Sequence, residues 1–341
     1  TGTAQHHRQH KQQPDNRRIA LDHVLCSLAD EANMLVEANR RDEAKDVADE
    51  LRAMLASEPA ATVTDLARIS AARLEFTMAA VAASEGEPDR QEQCLHECLR
   101  IVDQVLEESP EHSSGLRAKA MATNSLGLLS LHSERFEEAA RWFDQSLAIT
   151  RRVAELSPSV FDAQVSLATT LVNVGALHKN SGRPELAQPL FVEAESILRA
   201  QRERVPESKK AEQVLFNALW YQGQTCGDLR DPKRMADAGR RLGELLPEDG
   251  RSLRIAGALF SEAIGILEAD AKLPIDEQRR LRSEWEQSGM ALLRAAAEHG
   301  CIDYDYLRTH EHLKVFRALP GFPAILRKVA ANVDAAENRP R

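Results

Sequence analysis

The sequence predicts an all-α fold: a solenoid of about five helix pairs closed by a small helical cap. Three observations predict it. Landmarks recur at an offset of 48 residues, pairing Gly127 with Gly175, Ala139 with Ala187, Phe143 with Phe191, and Pro158 with Pro206. A fixed period of this size with helical patterning marks a repeat array rather than a single-core domain. Between the landmarks, apolar residues fall at helical spacing. The 341 residues are 43% hydrophobic but only 4% aromatic, with Ala and Leu filling most apolar positions. That mix suits close-packed helices better than a sandwich of sheets.

In chain order, residues 1–16 are polar and read as a disordered lead-in. Repeats then occupy 17–249, divided as 17–59, 60–110, 111–158, 159–206 and 207–249. The first helix, Arg17–Glu37, carries Ile19, Val24, Leu28, Ala32 and Leu35. After the turn Asn39–Asp42, with Asp42 as expected N-cap, a second helix runs through Ala44 and Ala48 until Glu58-Pro59 ends it. Val63–Ser84 and Arg90–Ser109 form the second pair around the turn Glu85–Asp89. His112–His132 with Phe136–Leu156, and Phe161–Asn180 with Pro184–Val205, form the two clearest pairs. Pro184 suits a first turn, where its missing N–H costs nothing.

Phe161–Asn180 bears two apolar stripes, Val165/Ala168/Val172/Gly175 and Leu167/Leu171/Val174. A helix with two stripes is packed between neighbours, so the first helices are the inner layer. Gly127 and Gly175 lie mid-helix, at about 1 kcal/mol against Ala, and close approach of a partner helix is the compensation. Gly223 and Pro232 carry the register into the next pair, whose second helix, Met235–Leu246, is short. Leu253–Ala269 and Glu277–His299 form a last pair within 250–299, with Gly300 as its C-cap. Residues 300–333 read as two small capping helices around Pro320 and Pro323, and 334–341 as a disordered tail.

The net charge of −9 argues against nucleic acid as a partner. Five cysteines, an odd and sparse set, argue against a disulfide scaffold and fit a reducing, cytoplasmic setting. No run approaches the ~18–20 apolar residues of a membrane span. The chain opens on Thr-Gly-Thr without a methionine and reads as a piece of something longer.

The remaining clusters carry weak chemistry. His6, His7 and His10 have no carboxylate or cysteine spaced to complete a metal site. Cys94 and Cys98 share a helix face, but Cys98 aligns with Ser146 and Ala194, which are packing positions. Glu85–Glu111 holds nine acids and two arginines, a wet face or a dock for a basic segment. His299, Cys301, Asp303 and His310 could be read as a nucleophile with its base, yet no Gly-rich or oxyanion-type turn accompanies them. No catalytic, cofactor-binding or metal residue is assigned.

Gly127, Ala139, Phe143 and again Gly175, Ala187, Phe191 resemble the tetratricopeptide (TPR) signature. The 48-residue form, and the closing GMALLRAAAEHGCIDYDYLRTHEHLKVFRALPGFPAIL, resemble the TPR tails of large bacterial serine/threonine protein kinases. The first two copies depart from the pattern, with Ala32 and Ala79 at the glycine, and the copy after Phe191, 207–249, lacks the aromatic. The resemblance implies a right-handed α-α superhelix and a protein-interaction scaffold, the recruiting part of a kinase signalling protein. It implies a protein or peptide ligand in a concave groove lined by the first helices. By register the groove residues are Asn124, His132, Lys179, Asn180, Asn217, Trp220, Gln224 and Asp228. The kinase's own motifs are absent here: there is no Gly-rich loop, no His-Arg-Asp and no Asp-Phe-Gly. Side-by-side stacking of solenoids is the structural alternative.

Overall fold

A computed structural model describes residues 2–57, 63–270 and 273–337, with side chains for 19–57, 63–270 and 273–336. Every regular element among these residues is helical. The chain divides into two compact units, 1–163 and 164–341.

The first unit contains α1 (Gly2–Glu37), α2 (Arg41–Ser57), α3 (Asp65–Glu85), α4 (Pro88–Glu108), α5 (Ser113–His132) and α6 (Phe136–Leu156). α7 (Phe161–Asn180) begins at the boundary. The second unit continues with α8 (Pro184–Arg204), α9 (Lys209–Asp228), α10 (Pro232–Leu245), α11 (Gly250–Glu268) and α12 (Ile275–Glu298). α13 (Tyr304–Thr309), a 3₁₀ turn (Glu311–Leu313), α14 (Lys314–Arg317) and α15 (Phe322–Glu337) follow.

From α1 to α6 and from α8 to α12 each helix packs on the next, and consecutive first helices also touch: α1 on α3, α3 on α5, and α9 on α11. Neighbouring second helices make little direct contact. First helices are therefore the tight layer, as their two apolar stripes require.

The helices start where the sequence places caps. Thr64 Oγ1, His112 Nδ1, Ser208 Oγ and Asp231 Oδ1 each accept from the backbone N–H three residues on, at 3.3, 3.1, 3.3 and 3.1 Å. Pro88, Pro184 and Pro232 occupy first turns. Asp42 is not the cap of α2 but lies inside its first turn, bonded to Lys45 at 3.2 Å. There its charge still favours the helix N-terminus.

Two larger differences concern the ends. α1 starts at Gly2, not Arg17, so its backbone is helical through residues 2–16. Apolar periodicity is blind to a polar stretch whose Gln, Arg, Lys and Ala are fair helix formers. The C-terminal segment is not two small helices: α15 alone has 16 residues. Pro323 lies in its first turn, where proline is tolerated rather than breaking. Glu58-Pro59 and residues 338–341 of the expected tail lie outside the described residues.

The mid-helix glycines explain the pairing. A Cβ built on Gly127 would lie 2.6 Å from Phe143 Cδ1, and one on Gly175 2.6 Å from Phe191 Cε1. Both rings are fully buried and cannot retreat. In the pair that lacks the aromatic, α11 supplies the filling. Leu259 lies 2.7 Å from a Cβ on Gly223, while Gly239, at the aromatic's position, brings the Ala256 carbonyl within 3.0 Å.

The turn inside each pair repeats more strictly than its residues do. Gly86 (φ 75°), Glu134 (φ 58°), Gly182 (φ 70°) and Arg230 (φ 54°) are spaced by one repeat, and each adopts the left-handed conformation. Glycine does this freely, whereas Glu134 and Arg230 do so against their own Cβ.

Two stability tests follow from these geometries. Gly175→Ala, which would stabilise an ordinary helix, should destabilise by about 1–3 kcal/mol in urea melts, and Phe191→Leu made with it should recover part of the loss. Arg230→Gly should raise stability by about 0.5–1 kcal/mol in the same melts, and an unchanged or lowered midpoint would refute strain at that turn.

Candidate partner-binding face

In the first unit, Asn124 is half-buried on α5 and His132 is exposed in its last turn. The His132 ring turns back on its own helix, with Nδ1 2.7 Å from the Leu128 carbonyl.

The second unit carries the other six residues, on α7 and α9. Asn180 is exposed, and Gln224 and Asn217 are half-buried. The Asn217 side-chain oxygen accepts from Gln213 at 3.3 Å, along the same helix. Trp220 is neither core nor fully exposed. Its ring lies 4.9 Å from Tyr221, which stacks on buried Phe191 at 5.5 Å with planes 7° apart. Three aromatic residues thus lead from the core contact of the α7–α8 pair to the surface of α9.

Two of the predicted residues meet as an ion pair. Lys179 Nζ at the end of α7 lies 3.4 Å from Asp228 at the end of α9. Their charges reach Glu262 on α11, which the sequence reading did not single out. Glu262 Oε1 lies 2.7 Å from His312 Nδ1. From there a stack runs through the cap. His310 packs edge-on against His312 at 4.4 Å and lies over Tyr306 at 4.2 Å. Arg254 sits 4.1 Å over the other part of that system, on the Tyr306 ring, and pairs with Asp303 at 2.7 Å.

Burial first, and then the Asp228 charge, push the Glu262 carboxyl up to about 7 against the opposing charge of Lys179. His312 is held below its ordinary value, by burial first and then by His310. One signal could have found this cluster. Glu262 is the sole charged residue between Arg254 and Glu268 in the otherwise apolar α11.

The cap residues do not form a nucleophilic site. Cys301 is buried and its thiol is pushed up by that burial, the reverse of an activated nucleophile. Asp303 is engaged by Arg254, His310 by Tyr306, and His299 is exposed. Cys94 and Cys98 are buried in the core, and burial pushes Cys98 up to about 12. Among the described residues no group of three or more His, Cys, Asp or Glu is placed to hold a metal ion. His6, His7 and His10 lie outside the described side chains. The acidic stretch is internally compensated: Glu85 pairs with Lys45, Glu92 with Arg135, Asp103 with Lys119, Glu108 with Arg68, and Glu111 with Arg152. No helix among the described residues is long and apolar enough to cross a membrane.

The α5–α6 pair, with its glycine facing a phenylalanine, decides the kind of repeat. Residues 120–156 match the family model of the tetratricopeptide repeat. No curated protein matches the chain. Among solved structures, the crystal structure of the apo form of RapI matches with a TM-score of 0.52 and 10% identity, covering 92% of this chain and 99% of that one. At that identity the likeness is one of fold: all-α, built from successive helix pairs. A circular tandem repeat protein with a novel repeat topology matches with a TM-score of 0.33 and 17% identity, covering 94% of this chain and 83% of its own. A monomeric mutant of IFIT1 with m7Gppp-AAAA matches with a TM-score of 0.31 and 12% identity, covering 96% and 74%. Neither of these last two carries an argument about this chain.

The Glu262 cluster yields a pH test. A carboxyl raised from 4.5 to about 7 stabilises the fold fully below about pH 4.5, and that contribution is lost as pH rises through 7. His312 makes the opposite contribution, present above 6.5 and lost as pH falls through its lowered value, and in wild type it dominates below the window of the test. Glu262→Gln should therefore melt close to wild type near about pH 5 and increasingly above it toward about pH 8. A difference in melting temperature that stays flat across that range would show that Glu262 titrates normally.

Proposed function

We propose that this chain is a protein-interaction scaffold of the TPR type that holds an extended partner segment on its first helices. The observation that carries the reading is Trp220. It is half-buried, backed by Tyr221 and Phe191, and flanked along α9 by Asn217, Gln224 and Asp228. A rigid indole rooted in the core and surrounded by amides offers apolar area at low entropic cost and hydrogen bonds for a peptide backbone. Lys179 and Asn180 continue this set on α7, and Asn124 and His132 hold the corresponding register on α5. The residue composition supports a binding role without chemistry of its own, and the acidic balance favours protein over nucleic acid as the ligand.

On this reading, which the resemblance to kinase tails supports, the scaffold acts in bacterial serine/threonine-kinase signalling in the cytoplasm and recruits a substrate or regulator. The experiment is affinity capture from a bacterial lysate with wild type, Trp220→Ala and Asn124→Ala proteins, each verified by circular dichroism. The expected result is a defined set of captured proteins, including a serine/threonine kinase activity, that Trp220→Ala loses. An identical set captured by all three folded proteins would sink the first-helix reading. Concentration-dependent self-association in light scattering with no captured partner would favour the assembly role instead.

A further inference from the structure

A second surface lies on the other layer of the same unit. Between α8 and α10, over α9, is a cleft of about 900 Å³. α10 is drawn onto α11 by Gly239, whose position leaves no room for a side chain against the Ala256 carbonyl. Its other flank leaves α8 largely uncovered.

The cleft floor is a closed hydrogen-bond network. Glu195, almost fully buried, accepts from Arg199 at 2.8 Å, from Gln222 at 3.1 Å and from Arg241 at 2.5 Å. Arg241 also donates to the Gln222 oxygen at 2.6 Å and pairs with Asp237 at 2.9 Å. Arg234, on the rim, pairs with Asp231 at 3.5 Å. Both arginines of the cleft are therefore paired with acids of the protein itself.

The acceptors are not. Gln188 lines the cleft and is 8% exposed, with its amide nitrogen donating to Cys226 Sγ at 3.5 Å. Its buried Oε1 has no partner among the described residues. A buried acceptor left bare costs free energy until something donates to it. Pro189, inside α8, has no N–H to give the Glu185 carbonyl one turn back. The exposed Glu185 side chain adds a carboxylate at the same mouth. Pro189 and Val192, the latter 50% exposed, add apolar surface beside these acceptors.

A site with unmet acceptors, its own arginines already paired with acids and apolar walls beside it, is complementary to a cationic side chain on an apolar segment. We propose that this cleft docks a basic segment of a partner protein, with a Lys or Arg side chain donating to Gln188 Oε1 and the Glu185 mouth. The site lies on second helices, so it stands apart from the first-helix face and does not depend on it.

The test is fluorescence anisotropy at about 0.15 M salt, where only close charge pairs survive screening. The probe is a labelled twelve-residue peptide of alternating Leu and Lys, with a Leu/Glu peptide as control. Glu185→Lys and Gln188→Leu should each weaken binding of the basic peptide at least fivefold. Glu137→Lys, the same charge change on an exposed site of the other unit, should change it less than twofold. Hydrogen exchange should slow on α8 and α10 when the basic peptide is added to wild type, a readout that survives if Gln188→Leu misfolds. Equal weakening by Glu185→Lys and Glu137→Lys, equal binding of the acidic peptide, or no protection on α8 would each overturn the proposal.

Discussion

The contact on which the helix pairs depend is that between a glycine on a first helix and a phenylalanine on its partner. A helix gives up about 1 kcal/mol by holding glycine rather than alanine. In return the Phe143 and Phe191 rings pack against bare backbone at Gly127 and Gly175, both rings fully buried. Dispersion falls steeply with small gaps, so this close approach fixes how near the two helices lie. The same logic appears inverted in the α9–α10 pair, where Gly239 takes the ring's place and α11 moves in with Leu259 and Phe260. What the array preserves is the volume of the joint, not the identity of the residues that fill it.

This is also why the fold was so legible. Phe136–Leu156 and Phe161–Asn180 come out with the ends their patterns indicate, because apolar period, glycine, proline and turn signals agree there. Legibility fails where only one signal acts. The polar backbone of residues 2–16 has no apolar face to announce a helix, and Pro323 looks like a breaker unless its place in a first turn is known. The left-handed turn at Glu134 and Arg230 was invisible for a related reason. Glycine marks that conformation at Gly86 and Gly182, while at the other two the register alone imposes it.

The candidate face was readable by register but not by partnership. Spacing put Lys179 and Asp228 at the ends of consecutive first helices, and they do meet. Their link to Glu262 and His312 joins segments far apart in the chain, which no periodicity encodes. His132 sits at the expected position yet bonds back to its own helix. The buried carboxylates share this character. Glu75 is gripped by Arg52 at 2.6 Å and Glu195 by Arg241, each arginine reaching in from a second helix. In each unit an arginine of one second helix thus adds to the apolar packing a charged tie to a buried acid on another helix.

The cap bears on how such an array can change length. Phe316 lies directly on Gly289 of α12, and Leu313, Phe316 and Phe322 are buried beneath the closing helices. That surface is tailored to its lid: another helix pair could join it only by evicting the cap and refilling the hollow at Gly289. Duplication of a whole 48-residue module between two of the left-handed turns meets no such obstacle, since every joint it creates already exists in the chain. Growth by internal copying, under a fixed lid, is the route this architecture leaves open, and the near-identical landmarks of the two central copies are what such an event would leave behind.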